Sequence, residues 1–255
     1  MWLPDSRLEQ PEMLEIQTKP NGSVMVNPAF RYKGAFYLFR RNVNEVEVSG
    51  IDAFPVTNWT GTHSGEDGGI VSLTGTQYLR YLAAPINIAG NSRCSLFFRF
   101  KTTAAPTGND LIFSMVPNDY ANPTNPSISL WADSFGYTTS SPYCCSVIIG
   151  TKSSGRIETD PNSIIPNKYH NIMIVLDGPN LDGFCVFDGK PYEIVSGSAP
   201  SSIYASYDDW FFGYNTALDQ FTGSVSAFYV FPDQVISRSE SAIITRNPFG
   251  MFIPT

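Results

Sequence analysis

The sequence predicts an all-β fold, a two-sheet sandwich or jelly roll, with an extended N-terminal arm and one short C-terminal helix. Three observations predict it. Short apolar runs, several alternating with period two, recur along the chain. Turn chemistry separates them, with 20 Gly and 19 Pro among 255 residues. Only one segment carries helix-start signals. The length suits one large β domain.

Composition narrows the function classes. Charged residues make up 15% of the chain, against roughly 25% in an average soluble domain. The net charge of −7 argues against a surface that tracks phosphates, which needs clustered Lys and Arg. At 42% hydrophobic residues the chain is too apolar for general disorder. No apolar run approaches the ~18–20 residues of a membrane-spanning helix. Neither nucleic acid nor membrane is expected as a partner.

Residues 1–45 read as the arm. Pro4, Pro11, Pro20 and Pro28 interrupt both helix and ladder, while Val24-Met25-Val26 and Ala35 to Phe39 are apolar. Such an arm lies along its own domain or reaches a neighbour, with Val24, Val26, Phe30, Phe36 and Phe39 as docking residues. Its start, Met1-Trp2-Leu3-Pro4-Asp5-Ser6-Arg7, has no basic-then-apolar export pattern. Synthesis in a reducing cytosol is therefore expected. Cys94, Cys144, Cys145 and Cys185 form no zinc spacing. Cys94 and Cys185 read as small buried hydrophobes. Cys144 and Cys145 point to opposite strand faces, which predicts at most one of them buried.

Residues 46–255 read as the domain. Leu96, Phe98 and Phe100 alternate with Phe97, Arg99 and Lys101. The β-former run Ile172 to Leu176 closes on Asp177-Gly178-Pro179-Asn180, and Phe184 to Phe187 closes on Asp188-Gly189, a hairpin signal. Val225, Ala227, Tyr229 and Phe231 then alternate with Ser224, Ser226, Phe228 and Val230. Ser237-Arg238-Ser239-Glu240 has the form of a capping box, and Asn247-Pro248 ends a helix of ~2–3 turns.

Three segments in order carry a resemblance. Lys168 to Asp177 is similar to the W-H-x-strand-D-G segment of laminin-G-like, concanavalin A-like domains, and Val186-Phe187-Asp188-Gly189 to their next strand. Phe221-Thr222-Gly223-Ser224-Val225 through Glu240 resembles the closing signature, with Ser226 where the family often has Asp. Arg246 to Pro254, with Leu3-Pro4-Asp5-Ser6-Arg7 and Val26-Asn27-Pro28, resembles the ends of laminin-G-like proteins of tailed bacteriophages. The resemblance implies a concanavalin A-like (laminin-G-like) jelly roll and a structural virion protein. Such a protein would decorate the head or sit on the tail, assembled in the host cytoplasm in many copies with other virion proteins. No catalysis is implied.

Glycoside hydrolysis needs two carboxyl groups flanking the scissile bond. Glu45-Val46-Glu47 lacks a third acid, and Asp208-Asp209 faces both ways. A nucleophilic site needs a base. His170 begins a strand, and His63 sits in a glycine-rich loop without phosphate-loop chemistry. No cofactor is expected. Calcium is the alternative, with Glu66-Asp67, Asn109-Asp110 and Asn118-Asp119 as oxygen donors. Binding by contact fits better. Trp131 and Tyr137 border a polar loop containing Asp133, and with Trp59 they form the expected carbohydrate platform. The expected function is thus a non-enzymatic virion component; the alternative is an adhesin that recognises host surface glycan.

Overall fold

The computed structural model describes residues 32, 34–38, 62–64, 70–73, 79–81, 88–104, 109–115, 125–133, 143–151, 154–206, 210–213 and 221–252. Its strands are β1 (Ala35–Leu38), β2 (Thr62–Ser64), β3 (Ile70–Leu73), β4 (Leu79–Tyr81), β5 (Arg93–Thr102), β6 (Asn109–Ser114) and β7 (Ser127–Asp133). They continue with β8 (Cys144–Gly150), β9 (Arg156–Glu158), β10 (His170–Asp177), β11 (Asp182–Phe187), β12 (Lys190–Ser196), β13 (Trp210–Phe212) and β14 (Gly223–Pro232). Helix α1 (Arg238–Arg246) follows.

The strands form one curled antiparallel path, β2-β3-β14-β5-β10-β11-β12-β9-β8-β7-β6-β13-β4, with β1 beside β14. Strand β12 is the corner. Its first half pairs with β11, and Ile194 and Ser196 pair with β9 across a register irregularity. The path thereby folds into two facing sheets, the jelly roll expected from the sequence.

Between the sheets, Leu96, Phe98, Ile174, Phe228 and Val230 of the first meet Leu130, Val147, Trp210 and Phe212 of the second. A second core lies on the outer side of the first sheet. There Phe97, Met173, Val175, Phe184 and Tyr229 pack beneath Ile244, Phe249 and Phe252 of the helix and tail. A strand buried on both faces has no polar side to show. That is why Ile172 to Leu176 is apolar without a break.

Turn chemistry sets the connections. Asp188 and Gly189 have φ of 47° and 86°, the left-handed pair that a two-residue hairpin between β11 and β12 requires. At α1, Ser237 Oγ accepts the Glu240 N–H at 3.4 Å and donates to Glu240 Oε2 at 2.6 Å. Asn247 caps the other end through its N–H to Ile243 O. Tyr229 Oη donates to Pro248 O at 3.0 Å, tying down the tail.

Two expectations need correction. The alternation of β14 places Val225 on one face with Ala227, Tyr229 and Phe231. In the structure Val225 joins the inter-sheet core, whereas Ala227, Tyr229 and Phe231 face the helix. A bulge at Ser226 inserts one residue against β5 and flips the phase. The second correction concerns Cys144 and Cys145, which are both buried. They do face opposite ways, but the outward side of the second sheet is itself covered.

Part of the expected arm belongs to the first sheet. Ala35 to Leu38 pair with Val230 to Ala227, so Phe36 stands opposite Tyr229. Gly34 lies against β14 so closely that an added Cβ would sit 2.5 Å from Val230 O. Tyr32 Oη donates to Glu240 Oε2 at 2.5 Å, and its ring meets Phe231 edge-on. Val24, Val26, Phe30, Phe39 and the 45/46 boundary lie outside the described residues.

Candidate functional site

The site is built on the outward side of the second sheet. In β7, Ile128, Leu130 and Ala132 point into the core. Alternation therefore gives Ser127, Ser129, Trp131 and Asp133 the opposite register positions. Neighbouring strands extend two rows. One runs Leu111, Trp131, Ser146, Glu158; the other runs Phe211, Ser114, Ser129, Ile148, Arg156.

The chemistry of these rows is mixed. The Ser114 and Ser129 hydroxyls are 3.2 Å apart. Arg156 Nε donates to Glu158 Oε1 at 3.2 Å, and its Nη2 donates to Ser146 Oγ at 3.4 Å. The Arg156 and Glu158 side chains are 18% and 6% exposed, so the pair is drawn well out of water. Trp131 is 6% exposed and forms the floor of this face rather than a free-standing platform. Asp133 ends β7 opposite Asn109 and Cys144, at the end of the sheet from which the next loop departs. Tyr137 and Trp59 lie outside the described residues.

Ser114, Ser129, Ser146, Arg156 and Glu158 were not singled out from the sequence. One signal was available: Ser127-Ile128-Ser129-Leu130-Trp131-Ala132-Asp133 alternates strictly, with a tryptophan at a polar-phase position. Which strands flank β7 is a matter of topology, and no local pattern carries it.

His170, away from this face, is occupied. His170 is fully buried, with its ring stacked on Phe187. Its Nε2 accepts the Ile165 N–H at 2.9 Å. The proton is thus on Nδ1, which donates to Asp188 Oδ2 at 2.7 Å. Asp188 Oδ1 accepts the Asn171 N–H at 2.8 Å. The pair locks the start of β10 to the hairpin after β11. His63 lies in β2 opposite Val71.

Two surface carboxylates are held below their usual range. For Asp160 the main cause is the Lys190 ammonium, followed by the Tyr192 hydroxyl. For Glu193 it is the Arg238 guanidinium, which also reaches Asp182 and lies 4.1 Å above the Phe184 ring. A general acid needs a pKa raised toward neutrality, and these shift the other way.

Among the described residues, no three His, Cys, Asp or Glu side chains converge on a point that could hold a metal. Of the expected calcium donors, Asn109 and Asp110 lie in β6, whereas Glu66, Asp67, Asn118 and Asp119 lie outside the described residues.

No family model matches the chain. No curated protein matches it in sequence. Solved structures do match in fold. The carbohydrate-binding module CBM40 of the Ruminococcus gnavus IT-sialidase, bound to α2,3-sialyllactose, aligns at 13% identity and TM-score 0.52, over 69% of this chain and 96% of the module. Domain 4 of AbnA, a GH43 extracellular arabinanase from Geobacillus stearothermophilus in complex with arabinotriose, aligns at 13% identity and TM-score 0.51, over 93% of this chain and all of that one. The heptameric SAP-like pentraxin of Limulus polyphemus aligns at 16% identity and TM-score 0.50, over 68% and 80%. At these identities the likeness is one of fold, a jelly roll. None of these three structures is a bacteriophage protein.

Proposed function

We propose that this chain is a non-catalytic carbohydrate-binding jelly roll that takes its ligand at the loop end of β7, the end at which Asp133 stands. The observation that carries the reading is the jelly-roll fold, which two carbohydrate-holding domains share. Trp131 is flanked in register by Ser146 and Glu158 and, in the next row, by Ser114, Ser129 and Arg156; the three serines are buried and brace the sheet. A sugar presents C–H faces that pack on an aromatic ring and hydroxyls that need both donors and acceptors. Asp133 ends β7 in the same strand phase as Trp131.

Two of the fold neighbours, the sialidase module and the arabinanase domain, carry bound oligosaccharides, which supports a sugar as ligand. The virion role and virion location rest on the resemblance of the chain ends. In that reading residues 1–45 join the domain to a head or tail protein, and the glycan belongs to the host surface.

The full chain on a glycan array, followed by titration calorimetry, tests the proposal. Binding is expected, and Trp131→Ala should weaken it at least tenfold, with near-UV circular dichroism controlling for folding. Absence of binding by the unaltered chain to any glycan overturns the proposal.

A further inference from the structure

We infer that the ligand is an oligosaccharide and that Asp160 and Lys190 take the hydroxyls of its second sugar unit, an inference that rests on the carbohydrate-binding reading above. Strand pairing sets this contact beside the loop end of β7. Asp133 stands opposite Cys144, and Ser146 opposite Glu158. The pairing of β8 with β9 runs on beyond Glu158. The Thr159 N–H donates to Cys145 O at 2.9 Å, and Thr159 Oγ1 accepts the Cys145 N–H at 2.7 Å. Asp160 thus follows in register at Cys144. It lies in the row of Asp133, two strand spacings or ~10 Å away.

Two elements build the group. Asp160 follows β9, whereas Lys190 and Tyr192 belong to the first half of β12. The Lys190 ammonium and the Tyr192 hydroxyl both donate to Asp160 Oδ2, the hydroxyl at 2.9 Å. Lys190 Nζ also lies 5.1 Å from the centre of the Tyr192 ring. That ring is half-buried against the inter-sheet core, so it holds the ammonium and the carboxylate in place. The two charged side chains are themselves open, Lys190 59% and Asp160 53% exposed.

Both retain hydrogen-bonding capacity. A carboxylate accepts through two oxygens; Oδ2 receives both internal bonds, which leaves Oδ1 for a ligand. An ammonium has three donors, and Asp160 takes one of them. Lys190 first, and Tyr192 second, hold the Asp160 carboxyl below its usual range, so it stays an acceptor at neutral pH. Neighbouring sugar hydroxyls match this pair. One donates to Asp160 Oδ1 and the next accepts from Lys190 Nζ, with the ion pair intact. From β7 to β12 is three strand spacings, ~14 Å, a span that takes more than one sugar ring.

The test titrates the full chain by calorimetry with one- to six-unit ladders of arabinan, galactan and glucan, and of any further series bound on the glycan array. Affinity should rise at least tenfold from the shortest to the longest member of a bound ladder. Asp160→Asn and Lys190→Ala, both at exposed side chains, should each cut that rise severalfold and leave the shortest member unaffected. Flat affinity along every bound ladder overturns this inference, as does a rise that both variants leave intact. An equal loss at every length overturns it too, because Asp160 and Lys190 would then hold the first unit. All three results leave the carbohydrate-binding function standing. Failure of every glycan overturns that function, and this inference with it.

Discussion

Phe228 is the residue on which the two sheets close. It is fully buried, and its ring centroid lies 4.8 Å from Phe98, 5.0 Å from Trp210, 5.2 Å from Phe212 and 5.6 Å from Phe113. Three of those partners are on the opposite sheet. Phe228→Ala removes the ring from a site whose neighbours are held by strands and cannot collapse inward. The expected loss is about 3–5 kcal/mol, transfer and cavity terms together. In a chain of this size each kcal/mol shifts Tm by ~2–4 °C, so the melting point should fall by ~6–20 °C. Phe228→Leu keeps much of the volume and should cost about 1–2 kcal/mol. Urea unfolding followed by tryptophan fluorescence reads both, because Trp210 reports from the same cluster. Val195→Ala, at a side chain 50% exposed, serves as control and should stay within about 1 kcal/mol. A Phe228→Ala loss no larger than the control would refute the two-sheet closure described here.

Acid should erode stability through Asp160 and Glu193. Both have folded pKa values below their unfolded ones, so their contribution is present above about pH 4 and disappears as pH falls through the folded values. Both pairs are exposed, so Lys190→Ala and Arg238→Ala should each cost no more than about 1 kcal/mol at pH 7; each should also flatten the acid limb of a stability–pH curve, and an unchanged limb would contradict the assignment. Thiol titration gives a separate check. Burial pushes the Cys94 thiol up to about 12 and raises Cys185 further, and all four cysteines are free and buried. A thiolate-seeking reagent at pH 8 should find no prompt reaction in the native chain and four thiols in denaturant; fast native labelling would show that one of them is accessible.

The fold was legible where local chemistry and tertiary context agree. Ser237 and Glu240 announce the start of α1 because a cap is satisfied within one turn. Asp188-Gly189 announces its hairpin because few residue pairs adopt two left-handed conformations. The bulge at Ser226 was not legible. It is an offset against β5, and with apolar residues in both phases of β14 nothing in the pattern betrays a slip. Burial of Cys144 was hidden for a related reason, since alternation reveals which face a residue takes but not whether that face is covered. The site was half legible. Trp131 and Asp133 could be picked from their own strand, whereas Ser146 and Glu158 join them only through strand pairing.

By itself the sequence determined what depends on near neighbours: short strands, tight turns, one capped helix, sparse charge, and hence an all-β sandwich. Tertiary structure decided what depends on distant partners. It made Ala35 to Leu38 a strand of the first sheet, gave that sheet two buried faces, and set Glu158 in the row of Trp131 with Arg156 in the row beside it. The physical reason is range. Turn and cap preferences act over a few bonds, but strand order is fixed by which apolar faces can be buried together, a property of the whole chain.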